Sequence, residues 1–120
     1  MTLEHLVDQY IACWMDMETS ARLSLLETLL SPDAFYCDPT IRVVGANDLA
    51  QHIAGVVKQR PGAKLERTSQ IDAHHDVARF GWNLVQADGQ KLPESIDVIW
   101  LNADRNKLTG ILGFFGPLKK

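Results

Sequence analysis

Along the first half of the chain the apolar residues recur at helical spacing, and along the second half they alternate. Leu3, Val7, Tyr10, Trp14 and Met17 follow one another at intervals of four and three, with Leu6 and Cys13 beside them, which predicts an amphipathic helix with a wide apolar face. Ser20 is a candidate cap for a second helix, in which Leu23, Leu26, Leu29 and Leu30 repeat before Ser31-Pro32 ends it. A short strand, Ala34 to Cys37, is expected next. Gly45 and Asn47 then introduce a third helix with Leu49, Ile53, Val56 and Val57 on its apolar face, terminated by Pro61-Gly62.

Beyond that point the period changes from about 3.6 to about 2, the switch that separates helices from strands. Leu65 to Asp72 alternates, as does His75 to Gln86. Asp88-Gly89 is a hairpin signal leading into a strand around Leu92 to Asn102, and Asp104 to Lys107 makes a further turn into Leu108 to Gly116. Three helices followed by a meander of strands is an α+β pattern, with the helices covering one face of an antiparallel sheet.

With 120 residues, 46% of them hydrophobic and 22% charged, the pattern fits a single domain over residues 1–120. A domain of that size buries about two-thirds of the surface its unfolded chain exposes and folds without disulfide or metal support. A net charge of -3 argues against nucleic acid or an anionic membrane as partner, since both select a basic patch. Lys58, Arg60 and Lys64 read as solvated surface charges. Glu4 and Asp8 near the start, with no basic region or long apolar run, give the expectation of a cytoplasmic protein. Cys13 and Cys37 have apolar neighbours and no metal-ligand spacing, so two reduced, buried thiols are expected.

Few residues remain as candidates for chemistry. In "SIDVIWL", Asp97 shares a strand face with Ile99 and Leu101 while Ile96, Val98 and Trp100 take the other, so either face strips water from the carboxylate. Such an acid is paired, hydrogen-bonded or protonated with a raised pKa, and it is either functional or a structural residue held by backbone amides or Arg79. Asp38, before Pro39, has the signature of a turn residue, yet its place at the end of an apolar strand also suits a base pointing between helices and sheet. Tyr10 is core filling or a phenolic donor. Trp14, Phe80, Trp82 and Phe115 supply aromatic surface for a pocket or for a plain core. His74-His75-Asp76 is a poor metal site, because neighbouring strand residues project to opposite faces; His74 is instead placed at a pocket rim as a binding or proton-carrying group. No glycine-rich phosphate loop or nucleophile motif is present in the sequence.

The order of these elements, with "YIACW" at Tyr10 to Trp14, "DPTIRVVG" at Asp38 to Gly45, "SIDVIWL" at Ser95 to Leu101 and "GFFGP" at Gly113 to Pro117, resembles the nuclear transport factor 2-like superfamily over essentially the whole chain. Within it the sequence is similar to SnoaL-like proteins and ketosteroid isomerases, whose helix tyrosine, Asp-Pro aspartate and late-strand aspartate match Tyr10, Asp38 and Asp97. The resemblance implies a curved antiparallel sheet wrapped around helices into a cone with an apolar pocket, in a homodimer built through the sheet. It also implies Asp38 as the base that moves a proton, with Tyr10 and a protonated Asp97 as donors to an enolate oxygen, and no cofactor. "HHDVARFGW" at His74 to Trp82 is closer to SnoaL-like proteins than to steroid isomerases. The expectation is an isomerase- or cyclase-like enzyme for a small apolar carbonyl compound; the alternatives are a non-catalytic carrier of an apolar ligand and a dimerisation domain whose cone is filled by its own side chains.

Overall fold

The computed structural model describes residues 2–120. In chain order the elements are α1 (Leu3–Ala12), α2 (Thr19–Leu29), β1 (Leu30–Asp38), β2 (Ile41–Val44), α3 (Ala46–Gln59), β3 (Lys64–Arg67), β4 (Asp72–His74), β5 (Val77–Val85), β6 (Ser95–Leu101) and β7 (Leu108–Phe114). The seven strands form one curved, open sheet in the order β2-β1-β7-β6-β5-β3, with β4 also paired to β5. The helices cover its inner face.

The sheet is mixed rather than antiparallel, because β1 and β7 run parallel. A parallel pair needs a long crossover, and here everything between Asp38 and Leu108 supplies it. This brings the end of β1, with Asp38, beside the late strands that carry the second aspartate.

Helix α1 opens on Thr2, whose hydroxyl accepts from the amide of His5 at 3.1 Å. It closes earlier than its apolar stripe predicts: Cys13 and Trp14 follow in a tighter turn, and Met17 lies outside the helix. Arg22, only 2% exposed, donates to the carbonyls of Cys13 at 2.8 Å and Met15 at 2.7 Å, satisfying acceptors that a helix end leaves open. Ser20 is inside α2 rather than at its cap, and Ser31-Pro32 does not end the helix. The chain passes from Leu29 straight into β1, with Pro32 in a stretch where the β1–β7 register slips, so its missing N–H breaks no regular ladder. The two-residue turn Pro39-Thr40 then leads into β2, an extra strand paired to β1.

Leu6, Val7 and Tyr10 of α1, Leu26 and Leu29 of α2, and Leu49 and Ile53 of α3 meet Ala34, Tyr36, Phe80, Ile99 and Ile111 from the sheet in one core. Burial alternates along β6, with Ser95, Asp97, Ile99 and Leu101 inward. Ile96, Val98 and Trp100 face out beside Leu112, Phe114 and Phe35 of neighbouring strands. Cys13 is buried, and burial, opposed by Arg22, pushes its thiol up to about 12; Cys37 is half-buried rather than buried, and both are free. No helix among the described residues is long and apolar enough to cross a membrane.

Candidate active site

Asp38 is both a turn residue and a pocket residue. Its Oδ1 accepts from the amide of Thr40 at 2.7 Å, the hydroxyl of Thr40 at 2.6 Å and the amide of Ile41 at 3.2 Å, the side-chain-to-backbone pattern expected of an aspartate opening a turn. Extended geometry at the end of β1 puts Tyr36, two residues earlier, on the same face, and its hydroxyl donates to Oδ2 at 2.5 Å. Burial pushes the carboxyl up, but the hydroxyls of Thr40 and Tyr36, the Thr40 amide and the nearby His52 outweigh it and hold Asp38 below the usual carboxylate range. Tyr36 itself is held far above the ordinary phenol value by burial first, then by Tyr10 and Asp38, and stays a neutral donor.

Asp97 sits one strand beyond β7, directly across from Gly113. A Cβ at Gly113 would lie 3.0 Å from Oδ1 of Asp97 and 3.6 Å from Cβ of Asp38, so this glycine is a bare strip of sheet between the two acids. Burial pushes Asp97 up to about 7; the indole N–H of Trp82, donated to Oδ1 at 3.0 Å, opposes the rise and the charge of Asp38 adds to it. Two carboxyl groups in one hollow are thus driven in opposite directions, Asp38 toward the carboxylate and Asp97 toward the acid.

Both face a cavity of about 460 Å³ between α3 and the sheet, walled by Trp14, Trp82, Leu84 and Phe115 and reached also by His52 and Tyr36. Of the residues marked out in the sequence, Asp38, Asp97, Trp14, Trp82 and Phe115 come together here. Three do not. Phe80 pairs with Asp97 across the β5–β6 ladder but is 3% exposed and packed in the core. His74 is exposed at the β4–β5 turn, away from the cavity, because β4 ends there; His75, at a φ of 50°, turns its ring back so that the two Nδ1 atoms lie 3.0 Å apart. Tyr10 is 1% exposed and its hydroxyl has no hydrogen-bond partner among the described residues; burial, then the charge of Asp97, raise the phenol well above its ordinary value. Arg79 is no partner of Asp97, since it points outward to Asp72 at 2.9 Å.

His52, Tyr36, Thr40 and Gly113 escaped the reading of the sequence. Tyr36 and His52 were within its reach, the first by strand parity with Asp38 and the second by sitting three residues after Leu49 and four before Val56. The role of Gly113 depends on the β1–β7 pairing, which no local pattern announces.

No family model matches the sequence, and no curated protein does. Solved structures do. A candidate isomerase of the SnoaL-like family from Agrobacterium tumefaciens superposes with a TM-score of 0.87 at 25% identity, over 95% of this chain and 97% of the other. A candidate polyketide cyclase from Sinorhizobium meliloti gives 0.71 at 12% identity over 94% and 99%. A nuclear transport factor 2-like protein of unknown function from Cytophaga hutchinsonii gives 0.67 at 11% identity over 98% and 92%. The chain shares the nuclear transport factor 2-like fold with these proteins, a cone of three helices on a curved mixed sheet that isomerase-like and cyclase-like proteins also adopt.

Proposed function

We propose that the protein is an isomerase- or cyclase-like enzyme that needs no cofactor and removes a proton beside the carbonyl of a small apolar compound. The observation that carries this reading is the opposed pair of acids across Gly113: two titratable groups in one site whose surroundings push their pKa values apart are suited to act as base and acid. The carbonyl oxygen accepts from protonated Asp97, and the carboxylate of Asp38 takes the proton from the adjacent carbon. The electron pair of that C–H bond forms a C=C bond as the carbonyl π pair moves onto oxygen, giving an enolate stabilised by a donor that water does not screen. Oδ1 of Asp38 already accepts from three donors, whereas Oδ2 takes only Tyr36 and keeps a free lone pair for the substrate proton. Trp14, Trp82 and Phe115 hold the apolar body.

The test is exchange of the α-protons of an apolar ketone such as 2-tetralone into deuterated buffer. Acceleration over buffer that drops about a hundredfold or more in Asp38→Asn, with fold and ketone binding retained, is the expected result. Binding without acceleration, indifferent to Asp38→Asn, would leave a carrier of apolar ligands.

For the assembly we propose a homodimer through the outer face of the sheet. Val44, Ile96 and Phe114 are 55%, 41% and 56% exposed there, beside Phe35 and Trp100, whose rings lie 5.8 Å apart. An apolar surface spread over four adjacent strands is self-complementary about a two-fold axis.

A further inference from the structure

Helix α3 lays His52, Val56 and Gln59 along the cavity. The side chain of His52 is 14% exposed, and Nε2 stands 3.7 Å from Oδ2 of Asp38. The ring is held from two sides: it meets Trp14 nearly edge-on, 85° at 6.1 Å, and lies tilted at 41° against Tyr36 at 5.8 Å. Neither ring nitrogen has a hydrogen-bond partner among the described residues, so Asp38 is the one group toward which the imidazole is aimed. The aim is at Oδ2, the oxygen that retains a free lone pair.

We propose that His52 is a proton relay for Asp38. The inference rests on the reading of Asp38 as base. After abstraction, the O–H on Oδ2 passes its proton to Nε2, giving an imidazolium and restoring the carboxylate. The imidazolium then releases that proton to solvent at its exposed edge, or to a departing or re-forming bond in the substrate. Without a relay, the proton Asp38 removes from one carbon has only the substrate to return to, and transfer stays internal. With one, hydrogen at the receiving carbon comes from solvent. The other titratable and charged groups around the imidazole are Tyr36 on β1, Asp97 on β6, and Arg60 at the cavity end of α3 itself. Among the cavity-lining groups the neutral phenol of Tyr36 competes poorly for the proton, Asp97 accepts none while it holds its own proton as the donor to the enolate, and the permanently charged Arg60 accepts none.

Two measurements decide the matter. The first follows the His52 ring nitrogens and the Asp38 carboxyl carbon by NMR titration in the wild type, Asp38→Asn and His52→Gln. Proton sharing predicts that Asp38→Asn lowers the His52 midpoint by about one pH unit, a tenfold loss of proton affinity, and that His52→Gln raises that of Asp38. A change of less than about 0.3 unit in both overturns the relay. The second uses 3-cyclohexenone in deuterated buffer as a probe of transfer between two carbons. Wild type is expected to deliver 2-cyclohexenone carrying solvent deuterium, and His52→Gln to deliver product that retains the substrate proton; His52→Asn serves where glutamine disturbs the packing. Equal deuterium content in wild type and variants overturns the relay. If the wild type leaves both ketones untouched while binding them, the proposed function falls, and the titrations still decide whether His52 and Asp38 share a proton.

Discussion

The indole N–H of Trp82 reaches Oδ1 of Asp97 at 3.0 Å and is the hydrogen bond that tempers a strongly buried acid. Because Asp97 is raised from 3.8 to about 7 in the folded protein, the native state binds more protons than the unfolded chain between those values. Its contribution to stability is complete below about 4, declines as pH rises through about 7, and is flat above. Asp97→Asn keeps an acceptor for Trp82 and removes the ionisation. Urea unfolding is expected to show the variant equal to wild type near pH 4 and more stable at pH 9, by up to about 4 kcal/mol. A difference independent of pH would show that Asp97 does not titrate as described.

Asp38 carries the opposite sign. Its folded pKa is lowered, so its contribution is present above the unfolded value and lost as pH falls through the folded one. Tyr36→Phe deletes the 2.5 Å donor to Oδ2 and leaves the backbone and hydroxyl bonds to Oδ1 in place. We expect a loss of about 1.5–3 kcal/mol at pH 7, the range for a hydrogen bond to a charged group, shrinking as Asp38 is protonated in acid. Unfolding of the two proteins at pH 7 and pH 3 checks this; a loss that does not shrink would assign Tyr36 to packing alone.

The fold was more legible than the site, for reasons visible in single residues. The stripes of α1 and α3 and the alternation of β5 to β7 are local signals, and they placed the elements. Apolar faces on both sides of "SIDVIWL" were enough to predict that Asp97 is paired, hydrogen-bonded or protonated with a raised pKa, and burial is what decides for the raised pKa. What stayed hidden was relational. The parallel β1–β7 pairing joins residues as far apart as Phe35 and Gly110, and only that pairing explains why a glycine separates the acids. Phe80 and Trp82 share a strand face, yet one is sealed under the helices and the other opens on the cavity, a distinction of depth that strand period does not encode. Arg22 carries no local signal of burial, yet it is among the most buried side chains, because its guanidinium caps carbonyls that the chain presents after α1.

Tyr10 separates stability from catalysis. A buried hydroxyl without a partner costs folding free energy, so Tyr10→Phe should leave stability unchanged or raise it by about 1 kcal/mol. If the phenol is an enolate donor, the same variant loses about tenfold or more in affinity for an enolate mimic such as 2-naphtholate, read by quenching of tryptophan fluorescence. Unaltered naphtholate affinity would restrict Tyr10 to the core.

Two glycines of β7, Gly110 toward the outer face of the sheet and Gly113 toward the inner, give a paired prediction. A methyl at Gly110 would overlap the ring of Phe35, which lies against the outer face of the sheet. Gly110→Ala is therefore expected to destabilise by about 1–3 kcal/mol, with the acids undisturbed and ketone exchange retained by the folded fraction. A methyl at Gly113 meets Oδ1 of Asp97 at 3.0 Å, a side-chain contact relieved by a shift of a few tenths of an ångström. Gly113→Ala should cost less stability, yet it moves Asp97 away from Trp82 and fills the strip that the substrate carbonyl must cross to reach both acids. Loss of exchange activity at Gly113 with near-native melting, set against loss of melting temperature at Gly110 with activity kept, is the expected pattern. The reverse pattern would mean that the chemistry does not pass between Asp38 and Asp97.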